Sequence, residues 1–357
     1  MPLRPPEASL SLLELVAGAE TRSLAVVGLG KNVGKTTFFN HLVGEARAAG
    51  RTLGLTSIGR DGEEWDAISY HRKPPIRVRP GMLVATARGC LPADVDSYQV
   101  LRPTPWRTPL GEVVLARSLR ETDWVLAGPG SMKALQKAID EMLARGADLV
   151  LVDGAFGRRA SAAPAVAQAA VLVSGAALDS RLEVVVEETA QAAALLTLPP
   201  AELPGPARAL VEGGRLGLWE ADGVRQLEMT TALGAEGRLA GQVKDSTRAV
   251  LLGSSLTPRI LAALEPRPGQ PGLTVVVPDA TRVLVPPEAL RRFQARGGEL
   301  RVARPIRLPL VVANPFSPYG WSFPAGEFLE ALARRLAPLP VADVVAGRLL
   351  RYAAPQS

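Results

Sequence analysis

The chain contains few residues of the types that bind metals tightly or form crosslinks. Its 357 residues include one cysteine, Cys90, and two histidines, His41 and His71. A single cysteine excludes an internal disulfide, and so few thiols and imidazoles argue against a structural zinc site. The absence of disulfides is typical of a reducing cytoplasm.

Long apolar runs and runs of like charge are also absent. The longest mostly apolar stretch, residues 163–178, is too short and too interrupted to span a bilayer, and no secretory signal is recognisable. With 47% hydrophobic and 21% charged residues, the composition is that of a folded protein, which we expect to be cytoplasmic and not membrane-bound. The net charge of +6 comes from dispersed arginines without interleaved aromatics, so nucleic-acid binding is not expected.

Lysine is scarce as well, and its distribution marks the most informative segment. The sequence contains six lysines, and two of them, Lys31 and Lys35, lie within residues 24–37, which read LAVVGLGKNVGKTT. An apolar run leads into a glycine-rich loop, and helix-compatible residues follow as far as Ala49. This order predicts a phosphate-binding loop, because backbone N–H groups and the helix N-terminus then surround the anion.

The residue types in this loop match nucleotide chemistry. We expect Lys35 to reach the β- and γ-phosphates and the Thr36 hydroxyl to bind Mg²⁺. The spacing is Gly-x5-Gly-Lys-Thr, one residue longer than the strict pattern, and a strand-to-helix turn with fortuitous glycines is the alternative. The other residues predicted to line the nucleotide are Gly28, Gly30, Lys31, Asn32, Val33, Gly34 and Thr37.

Two aspartates are candidate partners of the Mg²⁺. Asp153 ends the apolar run that begins at Leu149, where a carboxylate binds Mg²⁺ through water or orients the attacking water. Asp61, in a charged segment after the second strand, is predicted to supply a second ligand or a water-orienting carboxylate. The alternatives are an Asp-Gly turn and a solvated loop. The predicted catalytic groups are therefore Lys35, Asp61 and Asp153.

Several further residues are weaker candidates. Arg60 could face phosphate, and Arg158 and Arg159 could stabilise charge on a transferring phosphoryl group, although paired arginines are usually surface residues. Residues 128–131 open a helix and could bind an anion, but a turn with an N-cap at Ser131 is the preferred interpretation. Asn314 could contact a nucleobase edge or hold its own loop together.

Short apolar strands that alternate with helices predict an α/β fold, a doubly wound and mostly parallel sheet with ligands at the carboxyl ends of its strands. The predicted domains are a helical extension (1–21), a nucleotide-binding domain (22–200), a β-rich connection (207–247) and a smaller α/β domain (248–357). The strands predicted up to residue 200 are 24–27, 53–57, 82–86, 113–116, 124–127, 149–152 and 170–174, with helices at 36–49, 132–145 and 182–196. Beyond residue 200, residues 215–227 and 237–243 are predicted to form short antiparallel strands, and residues 308–313 a further strand.

The loop ending in Lys35 and Thr36, together with Asp153-Gly154, resembles the SIMIBI class of P-loop NTPases. This class includes dethiobiotin synthetase, cobyrinate amidases and the nucleotide-switch ATPases of cell division. The loop spacing is similar to that of dethiobiotin synthetase, and the resemblance implies a P-loop NTPase fold over residues 22–180. The signature lysine of the cell-division branch would fall at Gly30, so that branch's catalysis across a dimer is not implied.

Four segments resemble a narrower family: residues 28–37, 55–63, 152–155 and 314–320. Together they are similar to the reactivase subunit encoded with adenosylcobalamin-dependent lysine 5,6-aminomutase, which works with a second ATPase. The resemblance implies an NTPase whose turnover releases damaged cobalamin, with the aminomutase or the second reactivase subunit as partner.

Other functions stay open at this point. An ATP-dependent ligase of the dethiobiotin synthetase type, acting on a small carboxylate, is the main alternative, and a nucleotide sensor without turnover is another. ATP is favoured over GTP because the sequence has no Asn-Lys-x-Asp element, and a homodimer is compatible with each of these functions.

Overall fold

A computed structural model describes residues 11–18, 20–58, 75–155, 162–164, 166–229, 231–266 and 272–354. The chain divides into two compact units. The first unit comprises Met1–Ala193 and Arg307–Ser357, and the second comprises Ala194–Ile306. Within the described ranges, no helix is long and apolar enough to cross a membrane.

The described helices and strands have the following bounds. The helices are α1 (Leu12–Ala17), α2 (Lys35–Ala48), α3 (Met132–Ala144), α4 (Leu182–Leu196), α5 (Gly205–Glu212), α6 (Glu236–Gln242), α7 (Pro258–Ala263), α8 (Pro287–Ala295) and α9 (Ala325–Arg335). The strands are β1 (Ser23–Gly28), β2 (Leu53–Ser57), β3 (Ile76–Val78), β4 (Leu83–Ala87), β5 (Tyr98–Thr108), β6 (Gly111–Ser118), β7 (Thr122–Trp124), β8 (Leu149–Ala155), β9 (Ala169–Gly175), β10 (Leu216–Glu220), β11 (Gly223–Gln226), β12 (Ala249–Leu252), β13 (Thr274–Val277), β14 (Glu299–Val302), β15 (Leu310–Asn314), β16 (Val341–Asp343) and β17 (Arg348–Leu350).

The first unit is built on a ten-stranded sheet in the order β17-β16-β15-β9-β1-β8-β2-β4-β6-β5. All strands from β16 to β4 pair in parallel, and β17, β6 and β5 run antiparallel to their neighbours. Side chains of α1 and α2 share one core cluster with the sheet, and side chains of α3 share another with the opposite face. The predicted α/β class with a mostly parallel sheet is therefore confirmed.

One edge of this sheet differs from the prediction. The strand expected at 124–127 ends at Trp124, and β7 pairs with β3 in a separate two-stranded sheet. The long strand β5 was not predicted, because its residues are mostly polar and include Pro103 and Pro105. These prolines are compatible with a strand because β5 is an edge strand, where backbone N–H groups need no second partner.

The end of the chain returns to the first unit and extends the large sheet. Strand β15 pairs in parallel with β9, from Leu310 opposite Val171 to Asn314 opposite Gly175. The sequence-based division, which assigned 248–357 to one smaller domain, differs from this arrangement, since residues 307–357 belong to the first unit. Local hydrophobicity identified β15 as a strand but carried no information on which strand it pairs with.

The second unit has its own five-stranded sheet in the order β11-β10-β12-β13-β14. Strands β12 to β14 are parallel, whereas β10 and β11 form the antiparallel pair predicted between residues 215 and 227. The prediction of a strand at 237–243 is wrong, because Glu236–Gln242 form α6. Burial of Leu239 against the body of this unit outweighs the low helix propensity of two glycines.

The short helix α1 is held at both ends by side chains from distant parts of the chain. The carboxylate of Glu45, in α2, accepts hydrogen bonds from the backbone N–H groups of Leu12 (3.1 Å) and Leu13 (2.6 Å) and from the Ser11 hydroxyl (2.9 Å). At the other end, the Arg307 guanidinium donates to the Val16 carbonyl oxygen at 3.0 Å. An acidic group at the N-terminus and a basic group at the C-terminus both oppose the helix dipole.

We expect Glu45→Ala to destabilise the protein by about 1–2 kcal/mol, because the first backbone N–H groups of α1 lose their acceptor. Urea unfolding measures this change. Glu20→Ala removes an exposed carboxylate near the same helix and is expected to change the stability by less than about 0.5 kcal/mol. Equal stability of the two variants would show that Glu45 does not cap α1.

Candidate functional site

The glycine-rich loop, residues 28–34, connects the end of β1 to the start of α2. The Leu29 backbone N–H donates to the Val173 carbonyl oxygen of β9 at 3.0 Å, which holds the start of the loop against the sheet. Asn32 (φ 59°) and Gly34 (φ 99°) both have left-handed backbone conformations. Two such residues turn the chain sharply, so that it enters α2 directly after Gly34.

The side chain of Lys35 lies over this loop. A Cβ atom added to Gly28 would come within 2.7 Å of both Cγ and Cδ of Lys35, and within 2.9 Å of Cγ2 of Val33. Only glycine leaves room for the lysine stem at this position. The stem therefore packs against the beginning of the loop instead of extending away from α2.

Asp153 lies one strand away from the loop. In β8 it is opposite Val26 of β1 on one side and Ser57 of β2 on the other. Leu149 and Leu151 belong to the core cluster that contains α2, and side chains alternate between the faces of a strand. The half-buried Asp153 side chain is therefore on the same face of the sheet as α2.

The oxygen groups on this face fit a Mg²⁺ ion. Thr36, in the first turn of α2, is half-buried, and Thr37 is exposed. A hydroxyl and a carboxylate are hard oxygen donors, and Mg²⁺ typically uses one or two carboxylates together with phosphates and water. Across the described ranges, no group of three or more His, Cys, Asp or Glu side chains is placed to hold a metal. The donors that this face offers to a cation are therefore the Thr36 hydroxyl and the Asp153 carboxylate.

Residues 128–131 lie against the end of β2. The Gly128 backbone N–H donates to the Ser57 hydroxyl at 3.0 Å, and a Cβ atom at Gly128 would overlap the Ser57 carbonyl oxygen. The Ser131 hydroxyl accepts from the Ala134 backbone N–H at 3.3 Å. The predicted N-cap at Ser131 is therefore confirmed, and the segment lies at the same edge of the sheet as Asp153.

The contact of this loop with Asn314, from a distant part of the chain, was not predicted. Asn314, at the end of β15, lies so close to Gly34 that an added Cβ atom would be 2.9 Å from the Asn314 Cβ. The Asn314 carbonyl oxygen also accepts from the Ala176 backbone N–H at 2.9 Å. The two atoms of its side-chain amide are bonded to the backbone of Phe316, at 3.2 and 3.3 Å. Of the two predicted roles for Asn314, the structure favours the one that holds its own loop together.

We call residues 314–323 the C-terminal loop. Its Tyr319 hydroxyl accepts a hydrogen bond from the Asn32 side chain at 3.1 Å, and the Trp321 indole N–H donates to the Ala176 carbonyl oxygen at 2.8 Å. The rings of Tyr319 and Trp321 are 5.7 Å apart. The strained residue Asn32 is thus held by a side chain more than 280 positions later in the sequence.

The turn after β9 forms another side of the site. A Cβ atom at Gly30 would be 2.7 Å from the Leu178 Cδ2. The neighbouring carboxylate of Asp179 accepts two hydrogen bonds, each of 3.0 Å, from the Arg181 guanidinium. These bonds lower the pKa of Asp179 to about 2, so its carboxylate is charged at neutral pH.

Several predicted residues lie outside the described residues. They are Arg60, Asp61, Arg158 and Arg159. The residues that the fold does bring together are the glycine-rich loop, Thr36 and Asp153, at the carboxyl end of the parallel strands.

No family model matches the chain, and no curated protein matches it. The case for a function therefore depends on the residues and geometry described above.

We expect Gly34→Ala to destabilise the protein more than Gly81→Ala, as measured by urea unfolding. Both glycines have positive φ angles, 99° and 88°, and alanine in that region costs about 1–2 kcal/mol. A Cβ atom at Gly81 meets nothing within 4 Å, whereas at Gly34 it crowds Asn314. The additional cost at Gly34 is expected to be about 1–3 kcal/mol, as for other overpacked sites. Equal costs would contradict the close packing of the C-terminal loop on Gly34.

Proposed function

We propose that this protein binds and hydrolyses a nucleoside triphosphate with Mg²⁺. The observation that carries the proposal is the packing of the Lys35 stem over Gly28, in a loop that leads from a buried parallel strand into α2. Asp153 lies on the neighbouring strand, on the face of the sheet occupied by α2. A lysine, a helix N-terminus and an acidic group at this spacing are what a triphosphate with a divalent cation requires.

Each part of the site then has a defined role. The backbone N–H groups of residues 30–34 and the start of α2 bind the phosphate oxygens, and Lys35 neutralises the β- and γ-phosphates. Thr36 and Asp153 hold the cation, directly or through water, and Asp153 orients the attacking water. Bound Mg²⁺ would neutralise charge on the transferring phosphoryl group. ATP is the favoured nucleotide, because the sequence lacks the Asn-Lys-x-Asp element that binds guanine.

The biological role we propose is that of a cytoplasmic accessory protein. The motif resemblance to the reactivase subunit of lysine 5,6-aminomutase supports a role in which hydrolysis drives release of damaged adenosylcobalamin from the mutase. The aminomutase or the second reactivase subunit would be the partner.

The alternative is a ligase of the dethiobiotin synthetase type. The position of residues 128–131 beside Ser57, at the edge of the sheet that carries Asp153, favours this alternative. A small carboxylate bound there would lie at the same edge of the sheet as the nucleotide.

We expect Lys35→Ala to weaken binding of Mg-ATP by about 10- to 100-fold, because hydrogen bonds to a charged group each contribute about 1.5–3 kcal/mol. Isothermal titration calorimetry measures the dissociation constant. Lys137→Ala removes an exposed lysine from α3 and serves as the control, with unchanged affinity expected. Tight binding of Mg-ATP by Lys35→Ala would overturn the proposed site.

We expect Asp153→Asn to lower the hydrolysis rate by about 10- to 100-fold, the range seen when a group that positions a metal's ligands is removed. Binding of ATP without Mg²⁺ is expected to be unchanged or stronger, because a negative charge near the phosphates is lost. Phosphate release and calorimetry measure the two effects. Asp140→Asn, an exposed position of α3, is the control, and wild-type turnover by Asp153→Asn would exclude a role for this carboxylate.

A turnover assay separates the two biological roles. Slow basal hydrolysis that rises when the adenosylcobalamin-dependent mutase is added supports the accessory role. Hydrolysis that depends on a small carboxylate, with formation of an acylated or carboxylated product, supports the ligase.

A further inference from the structure

The exposed aromatic side chains of this protein are concentrated in one place. Among the aromatic residues that the structure describes, only Phe316 and Tyr319 are exposed, at 62% and 47% of their surface. Both belong to the C-terminal loop, which contacts the glycine-rich loop through Asn314 and Tyr319. An exposed aromatic ring on a loop that contacts the candidate site is available to stack on a planar ligand bound there.

Two other aromatic side chains of the C-terminal loop pack against the protein, whereas Phe316 is exposed. Trp321 and Phe323 turn toward the protein, where the Trp321 indole bonds to Ala176 and the Phe323 ring lies 5.2 Å from that of Phe328. The Ser317 backbone N–H donates to the Trp321 carbonyl oxygen at 3.2 Å, which closes the loop on itself. Phe316 is therefore presented on a loop that is already folded.

The direction of the nucleotide follows from the sheet. Asp153 lies on the β8 side of β1, where the proposed site would hold the cation, whereas β9 and β15 lie on the other side. A triphosphate that starts at the cation and crosses the start of α2 directs its nucleoside toward β9 and β15. The end of β15 is two strands from β1, about 10 Å, which is a distance that a ribose and a base can cover.

We propose that the purine base of the nucleotide stacks on the ring of Phe316. This inference rests on the proposed function and assigns the base-binding contact of the same site. Aromatic rings bind bases through their faces and accept every base. The side-chain amide of Asn314 is occupied in its own turn, and the Tyr319 hydroxyl is bonded to Asn32, so the Phe316 ring is the group of this loop that is free to meet the base.

The test compares ligands with and without a base. Calorimetry in Mg²⁺ measures binding of ATP, GTP and inorganic tripolyphosphate to the wild-type protein and to Phe316→Ala. We expect Phe316→Ala to weaken ATP and GTP by about tenfold or more and to leave tripolyphosphate within about twofold of wild type, because only the purine nucleotides can stack. Phe316→Trp is expected to restore nucleotide binding.

Two further variants serve as controls, one for an exposed apolar side chain elsewhere and one for the hydrogen bond between Tyr319 and Asn32. Val345→Ala shortens a different exposed apolar side chain (76% exposed) in the turn between β16 and β17 and is expected to bind all three ligands as wild type does. Tyr319→Phe keeps the ring but removes the acceptor of the Asn32 hydrogen bond, so it is expected to weaken tripolyphosphate and ATP by the same factor.

The outcomes are separable. Unchanged ATP affinity in Phe316→Ala, or equal weakening of ATP and tripolyphosphate, would overturn the stacking contact while the phosphate site stands. Failure of the wild-type protein to bind either ATP or tripolyphosphate would overturn the proposed function and the stacking contact together.

Discussion

The parallel pairing of β1 between β8 and β9 is the constraint on which the candidate site depends. Parallel strands all end at the same edge, so this pairing brings the glycine-rich loop, Asp153 and the turn after β9 together. Full burial of β1 keeps its register fixed, because a slip by one residue would move every side chain to the opposite face. The position of Asp153 on the α2 face is a direct consequence of this register.

The C-terminal segment of the chain, which belongs to the first unit, also contacts the glycine-rich loop and holds it in place. Pairing of β15 with β9 places Asn314 against Gly34 and the Tyr319 hydroxyl against Asn32. A loop of glycines and an asparagine has little intrinsic preference for one conformation, because glycine loses more backbone freedom on folding than any other residue. Contacts from the C-terminal loop select one conformation, so Asn314 and Tyr319 are part of the candidate site.

The return of this segment to the first unit explains why the second unit is an insertion. Residues 194–306 form their own sheet between two segments of the first unit. Strand β10 pairs antiparallel with β12, and β12 to β14 are parallel, so the named strands of this unit form a sheet that contains no strand of the large sheet. The elements that flank the insertion are held to the large sheet: α4 by the hydrogen bond of Thr189 with Ser174, and β15 by its pairing with β9.

Sequence alone determined the local features of this protein. The apolar runs of β1, β2, β8 and β9, the helices after β1 and β9 and the N-cap at Ser131 follow from residue type and spacing, as does the start of a helix after Gly34. Prediction was wrong where local signals were weak or conflicting, as in the glycine-containing α6 and the polar edge strand β5. Only the tertiary structure decided the partner of β15, the contact of Asn314 with Gly34 and the exposure of Phe316. These depend on which distant segments meet, and the energy that selects them comes from burial and pairing between segments, which no local pattern records.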